Sequence, residues 1–353
     1  MDLIIKPTEA CNFKCTFCSS TAIDPENAGL LDLDYVFRFL KRYPDTNSLI
    51  INGGDPLMVD PSYYWKIIEH LDEHDYPAHI SFTTNLWPFY VKPEKWVDLF
   101  NHERMGICTS FQYGGGRLKG DLTEFTEEDF WAVSDAMLKY CGERPDFIAV
   151  LTDMNDYRAL DNVRLAKEMN VECKLNYAMA SGVQGSTYRL SKIYQLYLDV
   201  YDADLHHWEF NTKQMMRRLK RGFTTCPQNR NCDEGIRAFN PGGDYYSCGS
   251  LADDLDYPIN FDEEMNGPMQ TPLQNDPNIQ TMKMACYSCP MFEICNGCKK
   301  TVRDMKREGT VEAHCKQMKG MAPRILELNG MDPSGVTPYV DESVDQPDLL
   351  LQL

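Results

Sequence analysis

Two periods of apolar and polar residues alternate along the first half of the chain, and the switches between them mark out its elements. Leu3 to Pro7 reads as a short strand running straight into a cysteine-bearing loop. Leu33, Val36, Phe37 and Leu40 then recur at helical spacing, and Pro44 is expected to end that helix. Ser48 to Asn52 is the next strand, closed by Gly53-Gly54-Asp55-Pro56, after which Asp60 is an expected N-cap with Pro61 in the first helical position. Tyr64, Ile67, Ile68 and Leu71 form the buried stripe of that helix. The alternation continues with strands at Ala78 to Asn85, Gly106 to Gln112, Asp146 to Asp153 and Val171 to Tyr177. Between them lie helical segments near Pro93 to Asn101, after Thr126 with Asp129 three residues on, and at Tyr157 to Met169. Strands separated by helices at this spacing are βαβ units of a parallel sheet. About six units fit before residue 190, fewer than the eight of a closed barrel, so an open-sided α/β barrel is expected.

The strand faces sort by polarity. Val171, Cys173 and Leu175 share one face for covering helices, and Glu172, Lys174 and Asn176 share the other. The same sorting turns Ser110 and Gln112 inward and puts Asn52, Asn85 and Asp153 near strand ends, where ligands of such folds gather. Residues 1–190 are thus expected to form the barrel, 191–222 a helical bridge, 223–316 a second, cysteine-rich domain, and 317–353 an irregular acidic tail. The basic run Arg217 to Arg221 in the bridge reads as a solvated face.

Bulk composition narrows the class. The 353 residues are 43% apolar and 25% charged, as in ordinary globular proteins. A formal charge of -18 argues against a nucleic-acid partner, which needs clustered cations. No stretch is long enough to span a bilayer, and no long apolar region precedes Cys11, so a cytoplasmic location without a membrane partner is expected. The 14 cysteines are then expected to be metal ligands rather than disulfides.

Those cysteines fall into two groups. Cys11, Cys15 and Cys18 are separated by three and then two residues. They suit three corners of a 4Fe–4S cube with one iron left open, or half of a zinc site. The second group is Cys226, Cys232 and Cys248, then Cys286, Cys289, Cys295 and Cys298, then Cys315: eight thiols, enough for two four-thiolate sites of iron–sulfur or zinc. A Pro241-Gly242-Gly243-Asp244 turn fits a hairpin delivering Cys248. Cys108, Cys141 and Cys173 stand outside both groups.

This combination resembles the radical S-adenosylmethionine (SAM) enzymes that carry a C-terminal SPASM domain, a family of peptide and protein maturases. The resemblance rests on Cys11-x3-Cys15-x2-Cys18 with aromatic Phe17, on Gly53-Gly54-Asp55-Pro56 as a GGEP-type stretch after the second strand, and on the late cysteines; it covers residues 3 to 316. It implies a partial barrel of six βα units followed by a small domain with two auxiliary clusters, three 4Fe–4S clusters in all. It further implies SAM bound at the open iron, with the Gly53 to Pro56 stretch near its amino group and Ser110 and Lys174 as candidates for its ribose and carboxylate. Carried over from sulfatase-maturing relatives, one auxiliary cluster takes Cys226, Cys232, Cys248 and Cys298, and the other Cys286, Cys289, Cys295 and Cys315. The x2 between Cys295 and Cys298 departs from the usual x3, and Gly249 stands where those relatives have an aspartate proposed as base.

The expected function is therefore SAM cleavage to a 5′-deoxyadenosyl radical and hydrogen abstraction from a peptide or protein, giving a crosslink, an epimerised centre or backbone excision. Expected partners are that substrate, a reductant such as flavodoxin or ferredoxin, and a separate leader-peptide-binding protein. A radical enzyme for a small molecule or nucleotide, and a noncatalytic iron–sulfur scaffold, are the alternatives. Cys108, on the same strand face as Ser110, is the candidate catalytic thiol beside the reading of a packed one, and Cys173 is expected to pack against a helix. Gly114-Gly115-Gly116 is either a close passage to substrate or a plain flexible loop.

Overall fold

The computed structural model describes residues 1–20, 29–184, 188–218, 232–287, 289, 295, 298–330 and 332. Six parallel strands carry the first part: β1 (Asp2–Ile5), β2 (Ser48–Ile51), β3 (His79–Thr83), β4 (Met105–Ser110), β5 (Asp146–Leu151) and β6 (Cys173–Tyr177). Each pairs with the next, and β6 ends at an edge rather than returning to β1, so the expected open-sided parallel architecture is what forms. Leu3, Ile5, Leu49, Ile51, Ile80 and Phe82 are fully buried beneath the helices.

Local signals place the helices. Helix Leu33–Arg42 starts at Asp32, whose carboxylate accepts from the Asp34 N–H, and is capped by Tyr43, the residue before Pro44. Asp60 caps Pro61–Glu73 as its position implied. Thr126 and Asp129 exchange both bonds of a capping box at the start of Glu127–Cys141. The segment expected as one helix over Pro93 to Asn101 is instead a 3-10 turn, Pro93–Lys95, followed by Val97–Phe100. It is preceded by a short helix, Trp87–Val91, after Leu86 in left-handed backbone.

The bridge is two helices, Leu190–Asp202 and Phe210–Arg218, and it is bound to the sheet. Glu209, fully buried between them, accepts from the Leu175 N–H of β6 at 2.8 Å and from the N–H groups of Asn211 and Thr212. The end of the basic run, from residue 219, lies outside the described residues.

The cysteine-rich part continues the same sheet. Strand β7 (Ile236–Phe239) lies parallel to β1 on the side away from β2, and β8 (Tyr245–Tyr246) and β9 (Pro258–Ile259) follow antiparallel. Pro241 to Asp244 is the β7–β8 turn, with the Asn240 N–H donating to the Asp244 carbonyl at 3.0 Å. A buried ion pair within this part is tied to the first by a tyrosine hydroxyl. Arg237 and Glu264 meet at 2.9 Å with no exposure, and Tyr43 from the first helix donates to Glu264 at 3.1 Å.

The expectation of an irregular tail from residue 317 is corrected. Val311–Leu328 is one helix, carrying Cys315 and continuing twelve residues past Lys316. Gly320 and Pro323 do not stop it because Met318, Ala322, Ile325 and Leu326 sustain a buried stripe at helical spacing. Residues 333–353 lie outside the described residues. Among the described residues no helix is long and apolar enough to cross a membrane.

Candidate functional site

The site is built where the parallel strands end. Beyond β1 the chain crosses the end of β2, so that the Gly54 N–H donates to the Thr8 carbonyl at 3.0 Å and the Asp55 N–H to the Ala10 carbonyl at 2.8 Å. The approach is so close that a Cβ on Gly54 would lie 2.2 Å from the Ala10 oxygen. At Gly53, with φ near +115°, a Cβ would lie 2.5 Å from the Thr8 oxygen. The two glycines are thus dictated by the lead-in to the cysteine loop.

Asp55 completes the junction. Its buried carboxylate accepts from the N–H groups of Leu57 and Asn85, at 2.9 and 2.8 Å, and from the Thr84 hydroxyl at 2.9 Å. Burial outweighs these bonds and raises its carboxyl from the ordinary range to about 6. Asn85 donates onward to Asn12 within the cysteine loop at 2.8 Å.

The opposite side of that loop is held by residues 116–119. The Lys14 and Thr16 N–H groups donate to Leu118 and Gly116 carbonyls at 2.7 and 2.9 Å. Gly116 has φ near +85°, and a Cβ there would lie 2.8 Å from the Thr16 hydroxyl, so the glycine run serves to clamp the cysteine loop. Cys11, Cys15 and Cys18 are thereby brought to one cavity of about 300 Å³, which Phe17, Gly53, Gly54, Asp55 and Ser110 also line. Burial pushes the Cys11 and Cys18 thiols upward, so a metal held there must expel protons.

Three sequence candidates lie elsewhere. Pro56 opens the turn Pro56–Met58 and its carbonyl accepts from the Tyr64 hydroxyl at 2.6 Å. Lys174 shares the strand face of Asn176 but sits two residues, about 6.6 Å, deeper. Its ammonium lies 5.2 Å from the centre of the Phe210 ring and is absent from the cavity wall. Cys108 stands likewise two residues below Ser110, beside Asp146 and Lys174, with burial raising its thiol to about 12. It lines neither cavity described here. Cys173 is fully buried, and Asp153 pairs with Lys192.

Sequence reasoning missed Arg117. It is 6% exposed, yet its guanidinium donates to the Ser110 hydroxyl at 2.9 Å and twice to the side-chain Oε1 of Gln112 at 3.2 and 2.7 Å. It lies 5.3 Å from the centre of the Phe17 ring, within electrostatic reach of all three cysteines. Its hydrogen-bond partners, Ser110 and Gln112, are neutral, which leaves its charge to the cysteines and to an anion bound beside them. Asn52 adds an acceptor, since its buried side-chain oxygen has no hydrogen-bond partner among the described residues.

A second cavity of about 830 Å³ adjoins the first, and Ser19, Asn52, Gly53, Asn176 and Met179 line both. Its wall carries Cys232, Cys248 and Cys298, together with the ion pair of Lys6 and Asp253 at 2.5 Å. Cys248 and Cys298 are the N-caps of helices Gly249–Asp254 and Lys299–Arg307. Cys226, expected beside them, lies outside the described residues. Of the remaining cysteines, the Cys289 N–H donates to the Cys286 carbonyl at 3.0 Å, and Cys315 has its thiol raised to about 12 by burial and then by neighbouring Cys289. Cys295 and Cys298 both act electrostatically on Tyr177.

The three thiols on one cavity, the buried cation and the unpartnered oxygen fit an iron–sulfur cluster with a zwitterionic amino acid at its open side. Comparison with known proteins agrees. The model of the radical SAM superfamily matches residues 5–187. No curated protein sequence matches. Among solved structures, anSMEcpe with bound AdoMet superposes with a TM-score of 0.69 at 16% identity, over 99% of this chain and 98% of that one. The same protein with AdoMet and the Cp18Cys peptide gives 0.67 at 17% identity, over 93% and 98%. Streptococcus suis SuiB bound to precursor peptide SuiA gives 0.55 at 16% identity, over 86% and 72%.

Proposed function

This chain belongs to the radical SAM superfamily of enzymes, whose members use a 4Fe–4S cluster and SAM, and we propose that it modifies a peptide or protein. The proposed reaction is hydrogen abstraction from that substrate, leaving a crosslink, an epimerised centre or an excision. The observation that carries the reading is the pair of adjoining cavities, one walled by Cys11, Cys15 and Cys18 and the larger by Cys232, Cys248 and Cys298. A chamber of about 830 Å³ opens directly beside the first site, and its volume suits a small molecule as well as a peptide segment. The neighbouring folds, anSMEcpe and SuiB, are both seen with peptides.

In this reading Cys11, Cys15 and Cys18 would hold the first cluster, whose chemistry when bound would be one-electron reductive cleavage of SAM to methionine and a 5′-deoxyadenosyl group. Arg117 binds the methionyl carboxylate, the Asn52 oxygen and the Gly53–Gly54 edge accept from its ammonium, and Phe17 and Gln112 keep the guanidinium aimed. Ser110 bonds the same guanidinium and orders the ribose side. Residues 223–316 form the auxiliary domain, with one further cluster on Cys226, Cys232, Cys248 and Cys298 and another on Cys286, Cys289, Cys295 and Cys315. Lys6 and Asp253 supply the charged wall against which a polar peptide group is oriented. A reductant of the flavodoxin or ferredoxin type and a separate leader-binding protein complete the proposed set of partners.

The test is anaerobic reconstitution followed by SAM, reductant and the short peptides encoded beside this chain. Expected are about twelve irons per chain, release of 5′-deoxyadenosine and a mass change in one peptide. Absence of the nucleoside product under all these conditions refutes the enzymatic reading; product with a small molecule and no peptide refutes the substrate class.

A further inference from the structure

Tyr177 ends β6 and lines the smaller cavity, yet its hydroxyl reaches out of the barrel to the cysteine-rich part. It lies 3.3 Å from the hydroxyl of Thr301, a residue with no exposure. That hydroxyl lies 2.9 Å from the Cys298 sulfur, and the Thr301 N–H donates to the same sulfur at 3.2 Å. Cys298 in turn lines the larger cavity. Two hydroxyls therefore connect the wall of one cavity to a sulfur on the wall of the other.

The direction of the chain follows from its last member. A ligating thiolate only accepts, so the Thr301 hydroxyl must donate to it, and the Thr301 oxygen is left to accept from Tyr177. Bonds arranged head to tail polarise one another, so the outer hydroxyl strengthens the inner bond. The contact is also held in register: Lys300, beside Thr301, donates to the Ala180 carbonyl at 3.2 Å just beyond β6 and is anchored by Asp304 at 2.6 Å and Asp254 at 3.0 Å. The first turn of Lys299–Arg307 is thus fastened to the loop that Tyr177 begins.

We propose that Tyr177 and Thr301 are positioning residues that form a hydroxyl relay from the SAM-side cavity to the Cys298 sulfur and raise the reduction potential of the centre held there. Hydrogen bonds to cysteinyl sulfur favour the more negative, reduced form of a cluster. The relay moves no atom and no electron; it sets how readily the centre is reduced, and ties that property to the cavity wall. It rests on the reading of Cys298 as a cluster ligand.

The experiment is a redox titration of the anaerobically reconstituted full chain, followed by electron paramagnetic resonance with an iron count. Thr301→Val keeps shape and removes the hydroxyl. It is expected to retain wild-type iron while its auxiliary midpoint falls by about 59 mV, a tenfold change for a one-electron couple. Thr301→Ser restores the hydroxyl and should restore the midpoint, and Tyr177→Phe should give an intermediate fall. A Thr301→Val midpoint equal to wild type at full iron content overturns the relay. Cys298→Ser separates the two failures. If it leaves iron and spectrum unchanged, the ligation reading falls and the relay with it. If it alters them while Thr301→Val does nothing, only the relay falls.

Discussion

The side-chain amide of Asn85 donates to the side-chain oxygen of Asn12 at 2.8 Å, joining the end of β3 to the loop that carries the first three cysteines. Because the Asn85 backbone N–H also donates to the Asp55 carboxylate, this bond is the last link in a chain from the glycine stretch to the loop. Asn12→Ala should lower stability by about 1 kcal/mol and loosen the loop. Iron should leave the reconstituted protein faster when a chelator is added, while Asn12→Asp, which keeps an acceptor, should behave more nearly like wild type. Equal release rates for Asn12→Ala and wild type would show that the bond does not hold the loop.

Gly54 and Gly320 make an opposed pair. A Cβ on Gly54 meets carbonyl oxygens of Ala10 and Glu9 at 2.2 and 2.3 Å, backbone atoms that cannot swing away. A Cβ on Gly320, exposed within Val311–Leu328, meets nothing within 4 Å. Gly54→Ala should therefore displace the cysteine loop, costing more than about 3 kcal/mol and abolishing SAM binding. Gly320→Ala should stabilise by up to about 1 kcal/mol. Urea unfolding of both variants checks the two signs together.

The contrast shows what the sequence made legible. Strands β1 to β6 and the capped helices follow from local periodicity and from Asp60, Thr126 and Asp129, so they could be read without the fold. The placement of β7 beside β1 could not, because it pairs residues more than two hundred positions apart with no local signal. The helix through Leu328 is hard to read locally because Gly320 and Pro323 interrupt the helical signal that the stripe Met318, Ala322, Ile325 and Leu326 carries. Within the site, alternation gave the right face for Lys174 and Cys108 but not their depth. Arg117 was invisible because its value depends on residues 116–119 folding against the cysteine loop.

Arg117 provides the third prediction. Its charge is buried among neutral partners and beside the three cysteines, where a carboxylate would be bound by a two-pronged contact. Arg117→Lys keeps a cation but cannot reproduce the planar fork. SAM affinity should fall about tenfold in Arg117→Lys, equivalent to about 1.4 kcal/mol, and further in Arg117→Met, with the iron content of the first site retained. Equilibrium dialysis of SAM against an iron assay measures both quantities. Unchanged affinity in Arg117→Met would remove Arg117 from the SAM site.

Asp55 gives the fourth, in the pH dependence of stability. Burial lifts its carboxyl from 3.8 to about 6, so the folded chain keeps a proton that the unfolded chain releases. The folded state then binds more protons than the unfolded one between about pH 4 and 6. The stability this proton contributes is present below that window and is lost as pH rises through it, by about 3 kcal/mol. Asp55→Asn does not titrate and leaves a backbone N–H of Leu57 or Asn85 without its acceptor, so it should be the less stable protein at pH 4. Its deficit relative to wild type should then shrink as the pH approaches 7. Urea denaturation of both proteins across this range measures the gap. A gap that widens with rising pH would mean that the three donors around Asp55 outweigh its burial and hold the carboxylate ionised.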